Sequence, residues 1–348
     1  GWETDIISIG SNRTGQYHDR DLEKWIKSDD KTDIVMFMDW GRFDSVWLDK
    51  KYKPEAFWIQ ESGDDPQNFE RNYPKANRFH YTITPDKQSA IEYRNRGINA
   101  EWINHFADTA VQFPLNLEPE FTAVTTRGPG NSEFLDYLTR WGEGAIGNKN
   151  GMGAKEHTEF LNKGLMVIQN SRWGEITRRI FEGMACGKLV ITDRLPEEAK
   201  LDELFVEGEE IILYNDMFDC IEKINYYTEN EEERERIAHN GMMKVLHNYT
   251  QVQVVDKLIE KWKNYQSRIA RNWSPISDSR SAYYYQYDDN MQAYRLYTLA
   301  LAKAPELSAM NRLRERPALS QQARWRLAAA YVLAGQPEVA AQLVKDQN

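Results

Sequence analysis

The 348-residue chain has little cysteine, no long apolar run and no excess of positive charge. Its two cysteines, Cys186 and Cys220, exclude a disulfide framework and lack metal-site spacing. No apolar stretch is as long as a membrane span, and the first residues lack the basic and then apolar profile of a signal peptide. A formal charge of −10 is unfavourable for a general nucleic-acid binder. We therefore expect a soluble, acidic, cytoplasmic protein without a nucleic-acid partner.

Short apolar runs alternate with amphipathic segments in the first third of the chain. Such alternation is typical of a mainly parallel sheet, so it predicts an α/β, Rossmann-like domain over residues 1–115. The start of the chain has the pattern of the second strand of such a unit, and we expect the first strand, its Gly-rich turn and the first helix to be missing. The predicted strands are 6–9, 34–38, 56–59, 81–84 and 101–103, and the predicted helices are 22–27, 45–50 and 87–96.

The alternation restarts after a polar, proline-bearing segment at residues 115–120. A second Rossmann-like domain is therefore predicted over residues 120–265. Its predicted strands are 121–125, 165–169, 189–192 and 210–213, and its predicted helices are 133–141, 177–186, 231–246 and 252–265.

The helix predicted over residues 177–186 carries the clearest candidate site. Arg178 and Glu182 are four residues apart and share a face, while Glu175 and Arg179 lie near the first turn. Guanidinium groups and helix-start amides suit a diphosphate, and a carboxylate suits ribose hydroxyls. A solvated ion pair between Arg178 and Glu182 explains the same spacing.

Two loops are candidates for the same cleft, because ligands of open α/β sheets lie beyond the carboxyl ends of the strands. Arg127 and Gly128 belong to a Gly-rich loop between a strand and a helix, which suits phosphate binding and equally suits a plain turn. Asn170 and Arg172 follow the strand at residues 165–169.

The first domain offers an acidic segment and one histidine. Glu61, Asp64 and Asp65 precede Pro66, a pattern that favours a turn over a metal pair, and we expect no metal. His105 follows a predicted strand end. It either reaches the cleft or bonds to a backbone group in a loop.

Residues 181–187, Phe-Glu-Gly-Met-Ala-Cys-Gly, closely resemble the "EAMACG" signature of retaining GT-B glycosyltransferases. Segments 58–66, 84–87, 93–98 and 105–109 resemble motifs of the CgeB-like, spore-maturation-type branch, and the resemblance runs over about residues 1–262. It implies two Rossmann-like domains and transfer of a sugar from a nucleotide-diphosphate donor to an unknown glycan, protein or small-molecule acceptor, without a cofactor.

The same resemblance implies residue roles. Glu182 would hold the donor ribose, the three arginines at positions 127, 178 and 179 would offset diphosphate charge, and His105 with Glu61 would face the reacting sugar. Many GT-B enzymes carry two glutamates with seven residues between them. Here the position eight before Glu182 is Gly174, and the nearest acid is Glu175.

The chain changes character after residue 265. Residues 267–348 hold 11 Lys and Arg against 7 Asp and Glu, about +4, whereas 33 against 47 give about −14 for the first 266 residues. We predict a linker over 266–288 and an α-helical hairpin tail over 289–348, with helices at 290–303, 320–334 and 338–345.

The predicted tail resembles tetratricopeptide-like hairpins, and its helices are also similar to helices of bacterial alpha-2-macroglobulin-like thioester domains. It lacks their Cys-Gln motif. The sequence is compatible with three origins of this tail: a natural part of the protein, a fusion, or an assembly artefact. The leading hypothesis is a glycosyltransferase. The second is a transferase-like scaffold without turnover whose tail binds a partner protein, and the third is a nucleotide-sugar epimerase.

Overall fold

The computed structural model describes residues 20–28, 31–39, 44–126, 132–141, 144–272, 289–316 and 319–345. It divides into two compact units, Gly1–Val255 and Asp256–Asn348. The predicted strand at residues 6–9, the candidates Arg127 and Gly128 and most of the predicted linker lie outside the described residues. In the part of the chain that is described, no helix has both the length and the apolar character needed to cross a bilayer.

The first sheet is parallel, and its strands follow one another in chain order. Apolar runs become strands buried on both faces, with Trp58, Ile59 and Tyr81 almost inaccessible to water. The strands are β1 (Ile34–Asp39), β2 (Phe57–Ser62), β3 (Tyr81–Thr84) and β4 (Ala100–Trp102), and the helices are α1 (Arg20–Ile26), α2 (Phe69–Ala76) and α3 (Lys87–Asn95).

The second sheet is also parallel, with the order β6-β5-β7-β8-β9. The chain leaves β5 toward β6 on one side and returns to β7 on the other, so the crevice where the strand order reverses lies at the carboxyl ends of these strands. The strands are β5 (Phe121–Thr125), β6 (Ile146–Asn148), β7 (Gly164–Gln169), β8 (Leu189–Asp193) and β9 (Ile212–Tyr214). The helices are α4 (Ser132–Trp141), α5 (Ala154–Asn162), α6 (Arg178–Ala185), α7 (Met217–Glu229), α8 (Glu231–Asn248) and α9 (Gln251–Asn272).

Helix α6 ends as its sequence predicts. Gly187 has φ 71°, a left-handed conformation that glycine adopts without strain. Gly183 lets the helix approach the sheet closely, because a Cβ at this position would lie 3.0 Å from Val190 and 3.2 Å from Val167. Because α6 packs closely against the sheet, its first residue lies at the carboxyl edge of β7.

The segment that joins the two sheets is bound to the second one. The Thr158 hydroxyl on α5 donates to the Val111 carbonyl at 3.1 Å, and the Asn162 amide donates to the Phe113 carbonyl at 3.1 Å. The Ala107 amide donates to the Tyr249 carbonyl at 3.0 Å. This segment, residues 103–120, is therefore positioned by α5 and by the turn before α9.

The second unit contains, besides the end of α9, helices α10 (Asp289–Leu301), α11 (Leu307–Arg314), α12 (Gln321–Leu333) and α13 (Pro337–Val344). Buried alanines such as Ala293, Ala323 and Ala330 let α10 and α12 pack closely. The Ser320 hydroxyl caps α12 by accepting from the Ala323 amide at 3.2 Å. The helical character predicted for the tail is confirmed, and α11 is an additional helix.

The helix predicted at residues 45–50 is wrong. The Ser45 hydroxyl accepts from the Trp47 amide at 3.2 Å, and the Asp49 carboxylate accepts from the Lys51 amide at 3.0 Å. These local side-chain bonds to the backbone stabilise turns in place of a helix. The elements α2, β6 and α5 were not predicted, and α9 continues beyond residue 265 to Asn272.

Candidate functional site

A cavity of about 460 Å³ opens at the carboxyl edge of the second sheet. Its polar wall comes from the start of α6, helix α5, the segment that joins the two sheets, and the residues that follow β5 and β6. Its lining residues are Phe106, Asp108, Val111, Gln112, Thr126, Asn150, Gly151, Met152, Ala154, His157, Arg178, Arg179 and Glu182. Three of the predicted binding residues, Arg178, Arg179 and Glu182, thus meet at one cavity.

The start of α6 has unused polar groups. Thr177 occupies the N-cap position, yet its side chain makes no capping bond. Among the described residues, the buried Thr177 hydroxyl has no hydrogen-bond partner, and neither does the buried side-chain amide nitrogen of Gln169. The first backbone amides of a helix are available to an anion in such an arrangement.

Arg179 is held toward this helix start. Its Nε donates to Gln169 Oε1 at 2.8 Å. Burial lowers the pKa of the Arg179 guanidinium, while the carboxylates of Glu182 and Glu175 oppose that change. A partly desolvated arginine gains more from an anionic partner than one in bulk water does.

Arg178 extends toward the first sheet, with its guanidinium carbon 5.6 Å from the centre of the Phe106 ring. Burial raises the pKa of the Glu61 carboxyl, an effect that Arg178 opposes. Burial, together with the positive charges of Arg178 and Arg179, lowers the pKa of His105 to about 3. His105 is therefore neutral near pH 7.

Glu61 and His105 do not line the large cavity. They lie together on a second, much smaller cavity of about 10 Å³, which shares only Phe106 with the first. The buried side-chain oxygen of Asn104, on this small cavity, has no hydrogen-bond partner among the described residues. The two predicted catalytic residues are thus neighbours beside the large cavity.

His157 is a site residue that sequence reasoning missed. It lies on α5, and its Nε2 is 3.9 Å from Glu182 Oε2, with side-chain exposures of 17% and 14%. Among the ion pairs of the described residues, none joins Arg178 to Glu182, so the solvated-pair interpretation of their spacing is wrong. The Gly-Met-Gly sequence at residues 151–153, just before α5, was the available signal for a helix start.

Asn170, Arg172 and Glu175 do not line the cavity. The Glu175 carboxylate accepts from the backbone amides of Trp173, at 2.7 Å, and of Arg172, at 3.3 Å. The Asn170 side chain donates to the Tyr214 hydroxyl at 3.0 Å. These contacts fix the conformation of the loop between β7 and α6.

The position eight before Glu182 is structurally unfavourable for an acid. Gly174 has φ 77°, and a Cβ there would lie 3.0 Å from the Pro196 ring. A side chain at this position would be strained and would meet proline, so the glycine belongs to the loop geometry.

The carboxyl edge of the first sheet has a buried polar network. Lys75 Nζ is 2.5 Å from Asp39 Oδ1, and Gln60 Nε2 donates to Asp39 Oδ2 at 2.9 Å. The Asn72 side-chain amide donates to the Ser62 hydroxyl at 2.7 Å. Here the protein's own groups pair with the Asp39 carboxylate and with the Asn72 amide nitrogen, whereas the Asn72 side-chain oxygen and Asp65 Oδ1 have no hydrogen-bond partner among the described residues.

Asp65 lies in the same region and is 2% exposed. The Thr84 hydroxyl donates to its Oδ2 at 2.9 Å. Burial raises the pKa of the Asp65 carboxyl to about 7, although hydrogen bonds from Ser62 and Thr84 oppose this rise.

The comparison with protein families finds a match in the part of the chain that contains the second sheet. Residues 115–260 match a family model described as glycosyl transferase-like. No curated protein matches the sequence significantly.

Among solved structures, sucrose-phosphate synthase from Thermosynechococcus elongatus is similar with a TM-score of 0.56 at 10% identity, covering 74% of this chain and 82% of that one. Anabaena HepE in complex with UDP-glucose gives 0.54 at 13% identity, with 70% and 82% covered. The same protein with UDP and glucose gives 0.53 at 13% identity, with 70% and 81% covered. The chain thus has the GT-B glycosyltransferase-like fold, and residues 115–260 are also glycosyltransferase-like in sequence.

Proposed function

We propose that the protein is a glycosyltransferase of the CgeB-like kind, which moves a sugar from a nucleotide-diphosphate donor to an acceptor with retention of configuration. One observation carries the proposal. Two arginines, an uncapped helix start and a carboxylate converge on a single cavity at the carboxyl edge of the second sheet.

The diphosphate would lie at the start of α6. Arg178 and Arg179 supply positive charge, and the first amides of the helix supply donors. These groups are fixed before the reaction, so they stabilise the charge that develops on a departing diphosphate. Thr126 lines the cavity. Arg127 and Gly128 follow it in the chain, lie outside the described residues, and stay candidate phosphate ligands from the sequence.

Glu182 would bind the donor ribose, because a carboxylate accepts hydrogen bonds from hydroxyls. Asn170, Arg172 and Glu175 contribute indirectly, by holding the loop that precedes α6. The similar HepE was solved with UDP-glucose, so UDP sugars are the first donors to test.

Glu61 and His105 would lie on the acceptor side of the donor. A neutral imidazole accepts one hydrogen bond and donates another without adding charge, and a carboxyl with a raised pKa keeps its proton to a higher pH than an exposed carboxyl does. Both suit an acceptor hydroxyl.

Calorimetric titration with UDP, GDP, dTDP and their common sugars tests the donor site. We expect one nucleotide to bind, and we expect Glu182→Ala to weaken it by roughly tenfold to a hundredfold, the effect of losing charged hydrogen bonds. The matched control is Glu222→Ala, which removes an exposed carboxylate from α7. Binding by none of these ligands to a cooperatively folded protein would refute the proposal.

A scaffold without turnover is the second candidate, favoured by Gly174 at the position where many GT-B enzymes have a glutamate. Its helical tail would bind a partner protein. Release of nucleotide from a bound sugar donor separates the two candidates, since a scaffold binds the donor and leaves it intact.

A further inference from the structure

We propose that His157 and Glu182 form a hydroxyl clamp, in which one ribose hydroxyl donates to Glu182 and accepts from His157. The inference rests on the proposed nucleotide site and deepens it. It makes His157 a specificity-determining residue, and it makes the ligand class a ribonucleoside diphosphate.

The geometry comes from two different helices that face each other across the cavity. His157 lies on α5 and Glu182 on α6, and both line the cavity. His157 Nε2 and Glu182 Oε2 are 3.9 Å apart, too far for a direct hydrogen bond. Two atoms at this separation can each lie about 2.8 Å from a single oxygen placed between them.

The hydrogen-bonding capacity of the two side chains indicates which kind of oxygen fits between them. A carboxylate only accepts hydrogen bonds, and an imidazole nitrogen that carries a proton donates one. A hydroxyl does both, so it satisfies the two groups at once. A phosphate oxygen would meet repulsion from Glu182, and Arg178 and Arg179 offer it better partners in the same cavity.

Helix α5 is held firmly enough to place the imidazole. The Thr158 hydroxyl, next to His157, lies within hydrogen-bond distance of the Val111 and Ala154 carbonyls, at 3.1 and 3.2 Å. One turn later, the Asn162 side chain donates to the Phe113 and Thr158 carbonyls, at 3.1 and 2.9 Å. These bonds fix the helix that carries His157 against the segment that joins the two sheets.

The contribution of the clamp to binding is measured by comparing the affinities of a ligand with the ribose hydroxyls and a ligand without them. A site that hydrogen-bonds a ligand hydroxyl rejects the analogue that lacks it, because the polar groups of the protein are left unpaired. We expect wild-type protein to bind UDP at least tenfold more tightly than 2′,3′-dideoxy-UDP.

The experiment is calorimetric titration of the full chain with UDP and 2′,3′-dideoxy-UDP. His157→Ala should weaken UDP binding by about fivefold to tenfold and change dideoxy-UDP binding by less than about twofold. His157→Gln, whose amide can donate, should recover most of the affinity for UDP. His239→Ala removes an exposed imidazole from α8 and should bind both ligands as wild type does.

The outcomes separate the two proposals. Equal weakening of UDP and dideoxy-UDP by His157→Ala would show that His157 acts only through structure, and it would overturn the clamp while the nucleotide site stands. Absence of UDP and GDP binding to a wild-type protein that unfolds cooperatively would overturn the nucleotide site itself. A denaturation curve for each variant shows whether it is folded.

Discussion

Both sheets are parallel, but the charged side chains at their carboxyl edges are placed differently. At the first sheet, Asp39 and Lys75 pair with each other in the interior. At the second, Arg178 and Glu182 face an open cavity, and the nearby Thr177 hydroxyl has no partner among the described residues. Polar groups that are satisfied internally stabilise a fold, and groups left open favour a ligand.

Breaking the Asp39–Lys75 pair should have the largest effect. Lys75→Met leaves the Asp39 carboxylate buried and without its cation, which costs about 3–5 kcal/mol of unfolding free energy. Urea denaturation measures this change. Lys27→Met, which breaks the exposed pair with Glu23, is the control and should change stability by about 1 kcal/mol at most. Similar values for both variants would show that the buried Asp39–Lys75 pair matters no more to stability than an exposed pair does.

Asp65 should make the first sheet sensitive to pH. Burial raises its pKa from 3.8 to about 7, so between these values the folded state holds a proton that the unfolded chain has released. This group's contribution to stability is therefore present below about pH 4 and is lost as the pH rises to about 7. Asp65→Asn keeps an acceptor for Thr84 and should remove that part of the pH dependence in urea denaturation. If the stability of Asp65→Asn changes with pH as steeply as that of the wild type, the prediction is refuted.

Arg179→Met should affect nucleotide binding much more than stability, whereas the main effect of Lys75→Met is on stability. We expect nucleotide affinity to fall by roughly tenfold to a hundredfold, because charged hydrogen bonds to a phosphate are lost. Stability should fall by only about 1 kcal/mol, because Gln169 Oε1 loses its donor. Calorimetric titration and urea denaturation of the same sample give both numbers. A large loss of stability with unchanged affinity would place Arg179 among the internally used groups.

The smallest effect should come from a contact between the two sheet regions. Lys87, at the start of α3, pairs with Glu203, which follows β8, and its Nζ is 5.0 Å from the centre of the Trp102 ring. Both charged side chains are partly exposed, so Lys87→Met should change stability by less than about 1 kcal/mol. Tryptophan fluorescence during urea unfolding measures it. A loss as large as that of Lys75→Met would mean that this ion pair is a main connection between the regions.

The strands that sequence patterns predicted include those with continuous apolar runs, such as β7 and β8. The missed elements lack that signal. Strand β6 has three residues, one of them Gly147, and helix α2 contains Pro74. Residues 45–50 contain three consecutive apolar residues, and the local bonds made by Ser45 and Asp49 decide the backbone conformation.

For the site, the sequence placed Arg178, Arg179 and Glu182 on one helix start, and the structure brings them to one cavity. It could not show that Glu175 bonds to the amides of its own loop, because that depends on the left-handed turn at Gly174. It also missed His157, since only folding brings α5 beside α6.

The attachment of residues 107–115 to α5 and to the turn before α9 has a practical consequence for dissecting the protein. The family match begins at residue 115, and a fragment cut there would leave the Asn162 amide without the Phe113 carbonyl and expose the side of α5 that holds His157. An expression clone of the second sheet that starts near residue 103 keeps those contacts, and with them the shape of the cavity wall.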